Sequence, residues 1–131
     1  MKITIIGAAG TLGSCAAFNI AIHSLADEIV MIDPRQNELR QHVTDLSASL
    51  TGQNIIVRTG NDEDMSGSDI VIVTAGAPQE GISSRMELLP HNLPIIRDIA
   101  RKIKQFCPET VVITATVPVD PPFNIVLVEL N

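Results

Sequence analysis

The first third of the chain combines two apolar runs with a glycine cluster between them. Residues 3–13 are Ile-Thr-Ile-Ile-Gly-Ala-Ala-Gly-Thr-Leu-Gly, and Val30-Met31-Ile32-Asp33 follows an intervening segment that we expect to be an amphipathic helix. Strand, glycine turn, helix, strand and terminal acid occur here in the order of a parallel βαβ unit. That order predicts a fold whose first turn binds the phosphates of a dinucleotide.

Each small residue of the cluster has a predicted task. Gly7 allows a tight turn at the end of the strand, and Gly13 allows the helix to lie close to the sheet. The small residues Ala8-Ala9-Gly10 let the backbone approach a pyrophosphate. The phosphates are expected to meet the free backbone amides around Thr11 and Leu12, at the start of the helix.

Asp33 lies 20 positions after Gly13, about the spacing of an acid that binds a ribose hydroxyl. A carboxylate there favours NAD over NADP because it repels a 2′-phosphate, and the nearby Arg35 softens that repulsion. Glycines alone are also common loop residues. The ordered succession of strand, helix, strand and acid favours the dinucleotide site.

Composition limits the other classes of function. The 131 residues carry a net charge of −6 and no basic cluster, so we expect no nucleic-acid partner. No apolar run approaches the ~20 residues of a membrane span. The N-terminus leads straight into a strand without a signal peptide, which predicts a cytoplasmic protein. Cys15 and Cys107 are expected to be buried free thiols, and no metal site is predicted.

Apolar runs alternate with helical patterns along the whole chain. We predict an α/β fold: a single three-layer α/β/α domain of the Rossmann type that spans residues 1–131. Its doubly wound parallel sheet is expected to be buried on both faces. The predicted strands are 2–6, 28–32, 55–57, 69–74 and 111–114, the predicted helices are 11–23, 35–49 and 86–106, and 123–130 suits either. Ligands bind such sheets at the carboxyl ends of the strands. This places the glycine loop, Asp33 and segments 74–76 and 114–119 at one edge.

A second set of motifs resembles the lactate/malate dehydrogenase family. These motifs are the GAAGTLG loop, Asp33, the VTAGAP turn at 73–78 with its downstream Ser84-Arg85 and Asn92, and Pro118-Val119-Asp120 after the last strand. They cover essentially the whole chain in the family's order. The glycine loop is most similar to the malate dehydrogenase-like branch.

The resemblance implies roles for the second loop. Thr74, Ala75 and Gly76 line the adenosine and ribose side of NAD, and residues 78–86 form a lid over the substrate. Arg85 polarises the carbonyl of a 2-oxo acid, a role that suits a guanidinium in a closed site.

The resemblance also bears on the substrate. Gln79 matches the position that distinguishes substrates; glutamine there is similar to the lactate type, whereas the glycine loop is similar to the malate type. Asn92 is expected on the substrate side. The substrate is therefore predicted to be a small 2-hydroxy or 2-oxo acid, either malate or lactate.

Two departures from the family bear on catalysis. Val117 replaces an asparagine that donates to the substrate beside the cofactor. The family's catalytic histidine belongs to a later substrate domain, and His23, His42 and His91 do not match it. Because hydride transfer to a carbonyl needs a proton donor, we expect these 131 residues to bind cofactor and to turn over little substrate.

Other classes of nucleotide-binding protein fit the sequence less well. A short-chain or epimerase-type reductase needs a catalytic tyrosine, and the chain has none. A P-loop is not supported, because no Gly-Lys-Ser/Thr follows the glycines. A non-catalytic NAD-binding module or sensor remains the alternative. The apolar stripe of helix 35–49 (Leu39, Val43, Leu46 and Leu50) suits either a homo-oligomer interface, as the resemblance implies, or burial on its own sheet.

Overall fold

A five-stranded parallel sheet forms the centre of the molecule, with strand order β3-β2-β1-β4-β5. The computed structural model describes residues 1–78, 81 and 83–117, the side chain of Arg85 excepted. The strands are β1 (Lys2–Ile6), β2 (Glu28–Ile32), β3 (Ile56–Thr59), β4 (Ile70–Val73) and β5 (Val111–Thr114), and the helices are α1 (Thr11–Ile22), α2 (Gln36–Ser49) and α3 (Leu89–Phe106). The predicted doubly wound α/β fold is confirmed.

Two apolar cores lie on opposite faces of this sheet. On one face, α1 and α2 pack on β1 and β2, with Ile5, Ile29 and Met31 fully buried. On the other face, α3 packs on β1, β2 and β4 through a row that includes Ile96 and Ile103. The strand order reverses direction between β1 and β4, so the carboxyl ends of these strands border the crevice where such sheets bind ligands.

The apolar stripe of α2 belongs to the first core. Leu39, Leu46 and Leu50 are 0%, 5% and 5% exposed, and Val43 packs against the same cluster. The stripe is therefore buried on the chain's own sheet, which was the second of the two interpretations.

Three sequence expectations about burial were wrong. The first helix is not amphipathic, because Leu12, Phe18 and Ile22 are exposed on its outer side. Cys15 is also exposed on that side, whereas Cys107 is buried as expected. The sheet is not buried on both faces throughout, since Ile56, Val111 and Ile113 on the two edge strands are exposed. Edge strands have a neighbour on one side only, so an apolar composition does not guarantee their burial.

Element boundaries differ from the predictions where turns intervene. The third strand is Ile56–Thr59 rather than 55–57, and a 3-10 helix, Asp62–Met65, follows it. The predicted helix 86–106 divides into a 3-10 helix, Arg85–Leu88, and α3, whose first turn contains Pro90. Proline suits that turn because its missing N–H has no helical partner there. The segment 123–130 lies outside the described residues. No described helix is long and apolar enough to cross a membrane.

Candidate functional site

The turn after β1 is fixed to the end of β2 by backbone hydrogen bonds. Gly7 N and Ala8 N both donate to Ile32 O, at 2.9 and 3.1 Å, and Gly10 N donates to Gly7 O at 3.0 Å. Gly7 has a φ of +87°, a conformation that L side chains rarely adopt. These hydrogen bonds fix the backbone conformation of the loop, and that conformation requires glycine at position 7.

The same turn leaves no room for side chains at its two ends. A Cβ on Gly7 would lie 2.5 Å from Ala75 N, and a Cβ on Gly13 would lie 2.5 Å from Gly7 O and 2.8 Å from Thr74 Oγ1. The strand-to-helix turn, the start of α1 and the end of β4 thus meet in direct backbone contact. This is the close approach that the sequence predicted for Gly7 and Gly13.

Asp33 directly follows β2, and its side chain is 3% exposed. Its Oδ2 accepts from Ala9 N at 3.1 Å, and its Oδ1 accepts from the backbone N and the Nε of Arg35 at 2.9 and 3.1 Å. The hydrogen bond to Asp33 raises the pKa of the Arg35 guanidinium. Asp33 therefore holds the glycine loop in place, a structural role that its position in the sequence did not reveal.

The start of α1 opens on this loop. Gly10 is its N-cap and supplies no side-chain cap, and Thr11 and Leu12 form the first turn with exposed side chains. The first amides of a helix have no partner within it and carry the positive end of its dipole. An anion beside Gly10 would meet these amides.

The opposite side of the site is built from the segments that follow β4 and β5. The Thr74 hydroxyl donates to Ile6 O and Gly7 O at 3.0 and 3.2 Å, which joins β4 to the glycine turn. The buried Thr116 hydroxyl donates to Ala75 O at 2.8 Å. Two hydroxyl groups thus link the ends of three neighbouring strands.

Asn92 on α3 completes this side. It is 2% exposed; its Oδ1 accepts from Ala77 N at 2.7 Å, and its Nδ2 donates to Val117 O at 2.7 Å. Asn92 was expected on the substrate side and Val117 beside the cofactor, and the structure joins the two residues to each other. Their contacts with ligands remain predictions.

A third wall of the site, formed by residues 60–64 after β3, was missed by the sequence analysis. Gly60 follows β3 and has no room for a Cβ, which would lie 2.4 Å from Val30 Cγ1. Asn61 caps the next 3-10 helix in a reciprocal capping box with Asp64, and Arg58 Nη1 donates to Asp64 Oδ1 at 2.9 Å. The spacing Asn61-x-x-Asp64 is a variant of the capping-box pattern, so it could have predicted this helix start. Lys102 on α3 pairs with Asp62 of the same wall at 3.0 Å.

The glycine turn, the Gly60–Asp64 wall and the segment after β4 border an open cleft of about 1140 Å³ along the carboxyl edge of the sheet. Six residues predicted to bind the cofactor line it: Gly7, Gly10, Asp33, Thr74, Ala75 and Gly76. Ala9, within the loop, and Gly13, within α1, are buried. Gln79 and the side chain of Arg85 lie outside the described residues. Within the described residues, no group of acidic, histidine or cysteine side chains is arranged to hold a metal.

Comparison with known proteins decides between the dinucleotide-binding classes. The model of the family described as lactate/malate dehydrogenase, NAD binding domain, matches residues 1–130. The chain belongs to the lactate/malate dehydrogenase family. Within that family, the matched region is the NAD-binding domain.

Relatives carry both names of this family. The malate dehydrogenase of Natronomonas pharaonis is 38% identical over 122 residues, which cover 91% of this chain and 40% of that protein. The L-lactate dehydrogenase of Pseudothermotoga lettingae is 38% identical over 121 residues, with 92% and 38% covered. The chain thus spans about 40% of the length of the relatives it matches.

Solved structures of the family share the fold. The lactate dehydrogenase of Cryptosporidium parvum, complexed with lactic acid and nicotinamide adenine dinucleotide, matches with a TM-score of 0.91 and 31% identity. That match covers 98% of this chain and 41% of the other.

Proposed function

We propose that the chain binds NAD(H) in the cleft and serves as the cofactor half of a dehydrogenase acting on a small 2-hydroxy acid, malate or lactate. The observation that carries the proposal is the convergence of Gly7, Gly13 and Asp33. The two glycines bring backbone into contact where side chains do not fit, and the buried carboxylate lies beside them. This is the arrangement that a pyrophosphate and a ribose need.

The residues present fit the cofactor. The amides at the start of α1 would hold the pyrophosphate, and Asp33 would hold the adenosine ribose. Thr74, Ala75 and Gly76 would line the other side of the cleft. When bound, NAD supplies the site that accepts or gives up a hydride. The protein would bind and orient it in the cleft.

The substrate side of the proposal depends on residues of the second loop. Arg85 would polarise the substrate carbonyl, because a guanidinium stabilises developing negative charge on oxygen. Gln79 and Asn92 would contact the acid. No histidine occurs among the described residues that line the cleft, so the proton donor would come from outside it. We propose that residues 1–131 form one cofactor domain that turns over little substrate by itself.

A titration with NADH tests the proposal. The fluorescence of NADH changes on binding and can be excited directly; because the chain contains no tryptophan and no tyrosine, energy transfer from these residues does not contribute to the change. We expect saturable binding, and weaker binding by at least about tenfold in Asp33→Asn, since a carboxylate accepts the ribose hydroxyl more strongly than an amide does. Asp45→Asn is the matched control, because Asp45 is an exposed acid on α2.

Two results would contradict the proposal. One is a folded chain without saturable NADH binding, and the other is equal binding by Asp33→Asn and the unchanged chain. Rapid NADH oxidation with pyruvate or oxaloacetate by the 131 residues alone would contradict the need for an outside proton donor. The intact mass of the native gene product separates the two candidate functions: a mass well above 14.1 kDa indicates a longer dehydrogenase, and a mass near that value favours a non-catalytic NAD-binding module.

Location and assembly complete the proposal. We propose a cytoplasmic protein, which the two free cysteines support, because thiols persist in reducing compartments. We also propose a homo-oligomer on the family resemblance. Its interface would lie elsewhere than the apolar stripe of α2, which packs on the chain's own sheet.

A further inference from the structure

The guanidinium of Arg35 lies directly on the carboxylate of Asp33. Nε donates to Oδ1 at 3.1 Å and Nη2 donates to Oδ2 at 3.4 Å, so the two planar groups face each other in a forked pair. The backbone amides of Ala9 and Arg35 supply two more donors. Each oxygen of Asp33 thus accepts two hydrogen bonds, which uses the capacity of an ionised carboxylate.

A ribose hydroxyl that binds Asp33 therefore has to displace a donor. The two backbone amides belong to the glycine loop and to the residue before α2, so they are fixed by the fold. The Arg35 side chain is 54% exposed and has rotatable bonds. The guanidinium is consequently the donor that yields when NAD(H) binds.

Arg35 is also well placed for an added phosphate. It lines the cleft together with Asp33, and its Nη2 lies 3.6 Å from the point where a Cβ on Gly10 would be. A guanidinium presents a rigid fork that matches phosphate oxygens. Glu38, at 3.6 Å from Arg35 Nε, is the other acid paired with it.

Arg35 thus changes what Asp33 does to a 2′-phosphate. An unpaired carboxylate would repel that dianion, whereas here the charge of Asp33 is already compensated by a cation that can turn toward the phosphate. We propose that Arg35 makes the cleft a site for NADP(H) as well as NAD(H), by competing with the ribose hydroxyl for Asp33 and by binding the 2′-phosphate. This proposal rests on the proposed function, because it concerns the same cleft.

Dissociation constants for NADH and NADPH, measured by fluorescence titration, test it. The unchanged chain should bind both. Arg35→Ala should weaken NADPH by about ten- to hundredfold, the size of a lost charge-assisted hydrogen bond, and leave NADH equal or tighter. Arg35→Lys keeps the charge without the fork, so it should bind NADPH at an intermediate strength. Arg40→Ala removes a charge from the exposed side of α2 and should change neither constant.

Each other outcome has a definite meaning. NADH binding without NADPH binding by the unchanged chain overturns the proposal and leaves the proposed function standing. If Arg35→Ala weakens the binding of NADH and of NADPH by the same factor, the proposal is also overturned, since Arg35 would then attract both anionic cofactors without contacting the 2′-phosphate. If Arg35→Ala fails to fold, Arg35→Lys still tests the fork, and equal NADPH binding by Arg35→Lys and the unchanged chain counts against it. Binding of neither cofactor overturns the proposed function itself.

Discussion

The two sides of the cleft are held in place by different means. On the glycine side, the turn after β1 has hydrogen bonds to Ile32 and Asp33, and it also depends on close backbone contacts that leave no room for a side chain at Gly7 or Gly13. On the far side, the segments after β4 and β5 are positioned by polar side chains, namely the Asn92 amide and the Thr74 and Thr116 hydroxyls.

This difference decides how each side tolerates change. Steric repulsion rises steeply when an atom is added to a close contact, so even the smallest substitution at Gly7 or Gly13 should destabilise the glycine side. A buried hydrogen bond can be removed at the expense of two unsatisfied groups, which is a smaller and graded loss. We therefore expect substitutions on the glycine side to lower the free energy of unfolding more than substitutions on the far side.

The largest effect is expected for Gly7→Ala. Its φ of +87° penalises any side chain, and its Cβ would lie 2.5 Å from Ala75 N. Adding a left-handed backbone penalty to a core overlap gives roughly 4 kcal/mol of lost stability. Urea unfolding followed by far-UV circular dichroism measures this loss.

Gly52→Ala separates the two contributions. Gly52 has the same φ of +87° but nothing within 4 Å of its Cβ position. It should lose only the backbone part, roughly 1–2 kcal/mol. Equal losses in the two variants would show that contact with β4 does not position the glycine turn.

Asn92→Ala is expected to have the next largest effect. The change leaves Ala77 N and Val117 O without their partner in a buried position, at a loss of roughly 2–3 kcal/mol in the free energy of unfolding. Asn37→Ala on the exposed side of α2 is the control and should change stability by less than about 0.5 kcal/mol. A loss in Asn92→Ala no larger than the control's would mean that the far side is held by the Thr74 and Thr116 hydroxyls alone.

The contrast between the two sides also explains which parts of the site were predictable. The glycine turn and Asp33 lie within one βαβ unit, where residue type and spacing encode backbone geometry directly. The far side depends on pairs that are 15, 25 and 41 residues apart in the chain, such as Asn92 with Val117. Nothing in the local pattern around Asn92 distinguishes an amide that binds two loops from one that binds a ligand.

The fold shows the same division. Strand and helix order were predicted, because buried Val and Ile runs alternate with helical periodicity. The exposure of Ile113 and of Phe18 was not, since burial depends on which neighbours a strand or helix receives in the assembled sheet. The wall from Gly60 to Asp64 was missed for a related reason: four residues of 3-10 helix are too short to produce a periodic pattern.

The smallest effect is expected at that third wall, and it depends on pH. The Asn61 backbone N–H and the Arg58 guanidinium lower the pKa of Asp64 below its usual value. Because the folded pKa is depressed, the stabilisation is present above the unfolded value of about 3.9 and is lost as pH falls through the folded pKa. Asp64→Asn should therefore be less stable than the unchanged chain near neutral pH, by less than about 1 kcal/mol for a partly exposed ion pair, and should approach it in acid. Urea midpoints measured across this range test the prediction, with Glu63→Gln on the same 3-10 helix as the control. A difference that stays constant with pH would assign the effect to packing, and the Gly60–Asp64 wall would then resemble the glycine side of the cleft.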